Sequence, residues 1–442
     1  MKKLFYILKN KFQLDSTRNR FIKGSFWTIF GSVIASFFSV ITSIVIARVI
    51  GKELFGQFGI VQNTISMFLT FATFGLGLTI TKYLAEYRNI NSSKAERIIS
   101  LSYVIAFLTG GISTLILFFS SAWVAKNILS AEEIGILLKF SSITLLFSAI
   151  NGVQLGELLG FESYKSIAKA NVFSGVSKSI CLLIGVTTYD IKGAIIGLIF
   201  SSIINVYFFQ KLITKERKKF NINVNFQNCF SERKILFNFS IPALFSGLIS
   251  SPITWLSNVI IVNQPNGYAE MGLFNAANQW KIAVLLLPTM ASRAILPMLS
   301  NSLKIQDIKS YKKIFFYSII LNLGSSSLAA VLITLFAPFI INFYGKGFEG
   351  GNSVFILLAW SSVLSSFAMV IGQIIASNGN MWIGFLINSI WALSLVGFTW
   401  SFRNLGALGL SKSYLFAYTI HVITALWYTV KIFQNDSLKQ KN

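Results

Sequence analysis

Twelve apolar runs divide the chain, at about 22–50, 58–81, 98–123, 134–156, 166–188, 191–213, 235–262, 272–297, 312–336, 351–376, 380–400 and 405–432. Short stretches rich in Lys, Arg, Asn and Ser separate them. Within the runs Phe, Ile, Leu and Ser follow one another without polar–apolar alternation, which disfavours a β-barrel. A helix needs about 20 mostly apolar residues to cross a bilayer, and each run meets that length. The pattern predicts an all-α integral membrane protein of about twelve transmembrane helices.

The polar stretches fix an orientation. With the first residues placed inside, 27 Lys and Arg fall on the cytoplasmic side and 7 on the other. The remaining four, Lys178, Lys281, Arg293 and Lys412, fall within spans. An excess of Lys and Arg marks cytoplasmic loops, so both termini are expected in the cytoplasm. The start, MKKLFYILKNKF, places Phe5, Leu8 and Phe12 on one face. It reads as an amphipathic helix on the membrane surface rather than a cleaved signal.

The longest interior polar segment, at about 211–234, lies near the middle of the chain. It suggests an amphipathic N-terminus (1–21), an N-lobe (22–213), a cytoplasmic linker (214–234), a C-lobe (235–432) and a tail (433–442). Weak internal symmetry agrees. Gly56-x-Phe58 with Gln62-Asn63 recurs as Gly272-x-Phe274 with Asn278-Gln279, an offset of 216 residues. Gln154 and Gly160 recur as Gln373 and Gly379, an offset of 219. The expected architecture is two pseudo-symmetric six-helix lobes around a central cleft.

Composition narrows the function. Only 12% of the 442 residues are charged against 54% hydrophobic, and mean hydropathy is +0.66. The net charge of +23 is loop charge between apolar runs and does not imply a nucleic-acid partner. Cys181 and Cys229 form no metal or disulfide pattern. No nucleotide loop, metalloprotease motif or nucleophile elbow occurs, so neither an enzyme nor a cofactor is expected. The single histidine, His421, reads as a polar residue satisfied by a neighbouring helix.

Cations inside the membrane carry the chemistry. A Lys or Arg at a helix centre costs about 2.5–3.5 kcal/mol on insertion scales. The fifteen acids lie in loops or at helix ends, Glu157 being the closest to intramembrane. Lys178 and Lys281 lie near the middles of helices five and eight, too far from either interface to snorkel. A cleft between the lobes would bring them face to face and select anions. Arg293, Arg48 and Lys412 join them as candidate anion ligands, although snorkelling remains an alternative for these three. Gln62, Gln154, Asn278 and Gln373 suit sugar hydroxyls. Pro242 and Pro252 interrupt helix seven, and Pro288 and Pro297 interrupt helix eight, which marks that pair as the bending element.

The first two helices carry Gly24-Ser25-Phe26-Trp27, Ala47-Arg48-x-x-Gly51-Lys52-Glu53-x-Phe55-Gly56-x-Phe58, Phe74-Gly75-Leu76 and Lys82-Tyr83-Leu84-Ala85-Glu86. With Leu287-Pro288 to Leu296-Pro297, these resemble the polysaccharide flippases, the O-antigen and lipid-linked oligosaccharide translocases of the multidrug/oligosaccharidyl-lipid/polysaccharide exporter superfamily. The resemblance implies a V-shaped bundle around a cationic lumen, alternating access and an undecaprenyl-pyrophosphate-linked oligosaccharide as substrate. It implies a bacterial cytoplasmic membrane, with glycan polymerase and chain-length machinery as partners alongside membrane lipids. By that resemblance Arg48 matches the family's helix-one arginine, while Lys178 and Lys281 match no motif. The alternatives are a cation-coupled multidrug exporter of the superfamily, its peptidoglycan-precursor flippase branch, and a membrane glycan polymerase or ligase. The near-absence of intramembrane acids speaks against the drug exporter. The short outer loops speak against the enzymes.

Overall fold

A computed structural model of the chain describes residues 2–241, 244, 249–304, 308–378 and 381–439, with most side chains from Trp27 onward. Among the described residues every regular element is helical. Seven helices among the described residues are long and apolar enough to cross a membrane. Two of these are of double length. The first, Lys2–Thr73, breaks at Gly51, whose φ of 79° is readily available only to glycine; it forms α1 (2–50) and α2 (52–73). After α3 (Leu76–Tyr87) come α4 (Ser92–Trp123), α5 (Ile134–Ser141) and α6 (Ile143–Gly160). The second double-length helix, Tyr164–Lys219, breaks at Tyr189 and Asp190. Its halves, α7 (164–188) and α8 (191–219), fold back so closely that a β-carbon on Gly197 would meet the Cys181 carbonyl oxygen at 2.3 Å.

The second half comprises α9 (Ser250–Val262), α10 (Gly267–Val284), α11 (Leu286–Lys304), α12 (Ile308–Tyr344), α13 (Asn352–Ser377), α14 (Met381–Ser401) and α15 (Gly406–Lys439). Among the described residues three apolar runs read as single helices are in fact divided, that at 134–156 by the turn at Ser142 between α5 and α6. The run at 58–81 is interrupted by Phe74 and Gly75, both left-handed at φ 48° and 67°. The run at 272–297 breaks at Leu285, between α10 and α11. Pro288 lies three residues later and has no N–H to donate to Val284. Pro252 falls in the first turn of α9, where a missing donor is tolerated. Pro338, which the sequence reading passed over, lies inside α12.

The core shows how the lobes meet. At one end, a single hydrophobic cluster joins both halves, from Ile46, Phe55 and Leu138 to Phe274, Tyr344 and Phe355. At the other end the core separates. Leu76, Ile80 and Ala95 form one cluster and Leu158, Ile167 and Phe209 another, both in the first half. Ile295, Leu299 and Tyr311 form a third in the second half. The separated end carries Lys82, Arg88, Lys165, Lys211 and Lys313, so it is the basic end of the molecule. Two helical lobes therefore share a core at one end and have separate cores towards the basic one.

The polar segment after α8 is strapped to the first lobe. The Asn223 N–H donates to Glu96 at 2.8 Å, the Ser100 hydroxyl donates to the Asn225 carbonyl at 2.8 Å, and Arg97 grips Glu232 at 3.0 Å. Nearby, Glu157 is fully buried. Arg217 donates to both of its oxygens, at 2.6 and 2.7 Å, and the Tyr103 hydroxyl adds a bond at 3.1 Å. The acid closest to intramembrane is thus already paired. Removing one partner of a buried pair strands the other charge, at about 3–5 kcal/mol. We expect Arg217→Ala to lower stability by about that amount in thermal melts of the purified protein. The Glu157→Gln/Arg217→Met double variant should lose much less.

Candidate functional site

The site begins with a serine stripe. Ser32, Ser36, Ser39 and Ser43 recur at helical spacing, so they share one face of α1. That face lines a cavity of about 600 Å³. Phe55, Phe58, Gly59, Gln62, Asn63 and Ser66 of α2 form a second wall, and Asn171, Ser174 and Lys178 of α7 a third. The other lobe contributes Asn275, Asn278, Gln279 and Ile282 of α10. The lobes touch across this space, where Gln279 donates to the Ser39 hydroxyl at 2.9 Å. The cavity thus lies between the lobes and is walled mainly by hydroxyl and amide groups.

A smaller cavity of about 260 Å³ continues into the first lobe. Ser141, Thr144, Ser148 and Asn151 line it from α5 and α6, and Ser201, Ser202 and Asn205 from α8. Gln62, Ser66, Ser174 and Lys178 belong to both cavities. Lys178 therefore stands on their shared wall, exposed to the open space. Among the described residues neither lining includes an Asp or Glu. Hydroxyls and amides surround this ammonium, and no counter-charge lines the space among the described residues, so the shared wall is positively charged.

The structure separates the residues that sequence reasoning grouped. Lys281 does not face Lys178. It is buried in the second lobe, its Nζ 3.8 Å from the centre of the Tyr414 ring and 5.6 Å from that of Tyr418. Aromatic faces, rather than a carboxylate or a cavity, accommodate this cation. Arg48 lies at the shared-core end and donates to the Asn342 carbonyl at 3.3 Å, from one lobe to the other. Lys412 is half-buried in α15 and lines neither cavity. Arg293 and Pro297 belong to α11, but their side chains lie outside the described residues, as does Pro242 altogether.

Of the four amides, Gln62 lines both cavities and Asn278 the larger. Gln154 is buried and committed, donating to the Val206 carbonyl at 3.0 Å and to Gln210 at 3.2 Å. Gln373 is half-buried in α13 and lines neither cavity. His421 stacks on Tyr418 and its Nδ1 has no hydrogen-bond partner, so the expected satisfaction by a neighbouring helix is missing at that atom. Sequence reasoning missed the serine stripe, although its spacing was a legible signal.

Two helical lobes around a polar cavity have the build of a membrane transporter. The solved structure of a multidrug resistance MATE family transporter of the MOP superfamily, in its inward-facing conformation, matches with a TM-score of 0.79. The match spans 92% of this chain and 96% of that one at 16% identity. An outward-facing structure of such a transporter matches with a TM-score of 0.71. The fold is therefore that of the MOP transporters, in a multi-pass membrane protein. Residues 21–303 match the polysaccharide biosynthesis protein family, and the chain belongs to it. Similar proteins include stage V sporulation protein B of Bacillus subtilis, 25% identical over 77% of this chain and 69% of that protein. Another, named as an O-antigen transporter of Shigella flexneri, is 24% identical over 71% of this chain and 72% of that protein.

The different surroundings of the two lysines can be read by chemistry. Lys178→Cys should react readily with a small water-soluble thiol reagent in membranes. Lys281→Cys, buried against Tyr414, should react on the order of tenfold more slowly. Equal rates would mean that the second lobe opens Lys281 to the same water.

Proposed function

We propose that this protein is a flippase for an anionic lipid-linked glycan. Its cargo is an undecaprenyl-pyrophosphate-linked oligosaccharide of the O-antigen or capsule type, moved from the inner to the outer leaflet of the bacterial cytoplasmic membrane. The observation that carries this reading is Lys178, an uncompensated ammonium on the wall shared by two polar cavities. Membership of the polysaccharide biosynthesis family and the likeness to the Shigella flexneri protein support the class of cargo.

The basic end, where the lobes part, faces the cytoplasm, in line with the excess of Lys and Arg in cytoplasmic loops. A pyrophosphate headgroup enters there and meets Lys178, which lowers the penalty of carrying negative charge through the membrane. Gln62, Asn278 and the serines of α1 replace water around the sugar hydroxyls. The polyprenyl tail stays in lipid throughout. The lobes, joined by the strapped linker, then close at the basic end and part at the other. Outside, glycan polymerase and chain-length machinery take the product. A cation-coupled drug exporter fits less well, because cationic drugs need carboxylates and, among the described residues, neither cavity presents one.

Export of a defined glycan in a deletion strain tests the reading. Losing a charge-assisted contact of about 2 kcal/mol corresponds to about a thirtyfold slower export for Lys178→Ala. Lys178→Arg should retain most of the rate, and membrane levels should be unchanged. Full export by Lys178→Ala would remove the anion site from the mechanism.

A further inference from the structure

The internal repeat and the packing of the lobes meet at one place. Gly56 on α2 and Gly272 on α10 are 216 residues apart in sequence and face each other across the lobe boundary. A β-carbon on Gly56 would lie 1.8 Å from the carbonyl oxygen of Tyr268. One on Gly272 would lie 2.0 Å from the carbonyl oxygen of Lys52. Lys52 and Tyr268 each stand four residues before a glycine and are themselves 216 apart. The contact is therefore reciprocal, each helix presenting a bare glycine to the other's backbone. One turn further along, a β-carbon on Gly59 would overlap the Asn275 carboxamide, and these two positions keep the same offset.

This seam roofs the larger cavity, which Gly59 and Asn275 both line. Other links between the lobes gather at the same end. Lys52 pairs with Glu270 at 3.6 Å, the Tyr268 hydroxyl donates to the Leu129 carbonyl at 2.6 Å, and Phe55 packs edge-on against Phe348. Backbones can approach so closely only where both helices lack a side chain, and such contacts let helices associate in lipid without a hydrophobic driving force. Gly185 and Gly193 make a similar reciprocal contact between α7 and α8, at 2.1 and 1.9 Å for their notional β-carbons. There the turn at Tyr189 and Asp190 ties the two helices together. No short connection ties α2 to α10, so theirs is a contact that can part.

We propose that the reciprocal contact of Gly56 and Gly272 is the outer seal of the transport cycle. Shut, it closes the cavity to the outside while the basic end is open; the cycle must part it to release the headgroup. The two glycines are positioning residues that touch no cargo. This inference rests on the alternating-access reading above.

The test needs no cargo. In a full-length chain whose two native cysteines, Cys181 and Cys229, are replaced by alanine, Ser36→Cys reports from the cavity. A membrane-impermeant maleimide is applied to right-side-out and to inside-out vesicles. The parent should label chiefly from the cytoplasmic face. Gly56→Ala and Gly272→Ala should raise labelling from outside about tenfold and reduce it from inside, because the added methyl disfavours the shut seam. Gly59→Ala, whose methyl meets only a side chain that can rotate, should shift labelling less. Gly111→Ala, with open space around it, should shift nothing. An unchanged pattern in both seam variants would overturn the proposal. Should those variants fail to accumulate, Lys52→Cys with Glu270→Cys supplies a second arm. Oxidative cross-linking should abolish labelling from outside and spare it from inside, and persistent outside labelling would equally overturn the seal. Loss of the anion reading through Lys178 leaves these readouts intact, so the two failures are distinguishable.

Discussion

A positive charge inside a bilayer needs a partner or water, and this chain supplies almost no carboxylates there. The cations in and beside the spans resolve that demand differently. Arg217 neutralises Glu157 within the first lobe, and Lys281 rests on the face of Tyr414 in the second. Lys178 does neither, and among the described residues it is the one that lines open space in both cavities. The cavity and the uncompensated charge therefore explain each other. The hydroxyl-rich walls offer the lysine polar surroundings, and the lysine gives the space a sign.

The fold was largely legible because bilayer physics leaves few choices. Apolar runs of the required length had to be helices, and the Lys and Arg bias divided their connections into two sides. The interruptions were legible only in part. Pro288 was read as interrupting its run, and the chain breaks three residues before it, at Leu285. Phe74 with Gly75 divides one run and Ser142 another; neither disturbs hydrophobicity, so neither is visible to a reading based on apolar length. The double-length helices broken at Gly51 and at Tyr189–Asp190 coincide with boundaries that charge and glycine had already marked.

The site was legible only in part. Lys178 could be singled out because it lay mid-span without an acid nearby. Lys281 satisfied the same rule, yet it packs away from the cavity. Position along a helix gives depth in the membrane but not the direction a side chain faces. Gln154 illustrates the same limit: its chemistry suits a sugar, but its amide serves Val206 and Gln210. The serine stripe of α1 was available from spacing alone. It went unread because serine is common throughout these helices, and a stripe of small hydroxyls resembles ordinary helix packing.

The strapping of the segment after α8 to the first lobe has a practical consequence for how the protein can be divided. Because Glu96, Ser100 and Arg97 hold that segment, a cut in its middle would tear a folded edge from the first lobe. A cut just beyond Lys234 would leave that edge in place and give two pieces, each with its own end cluster of packed side chains. That junction is the natural place to separate the halves for co-expression, and the glycine seam would then have to reunite them without a covalent tether.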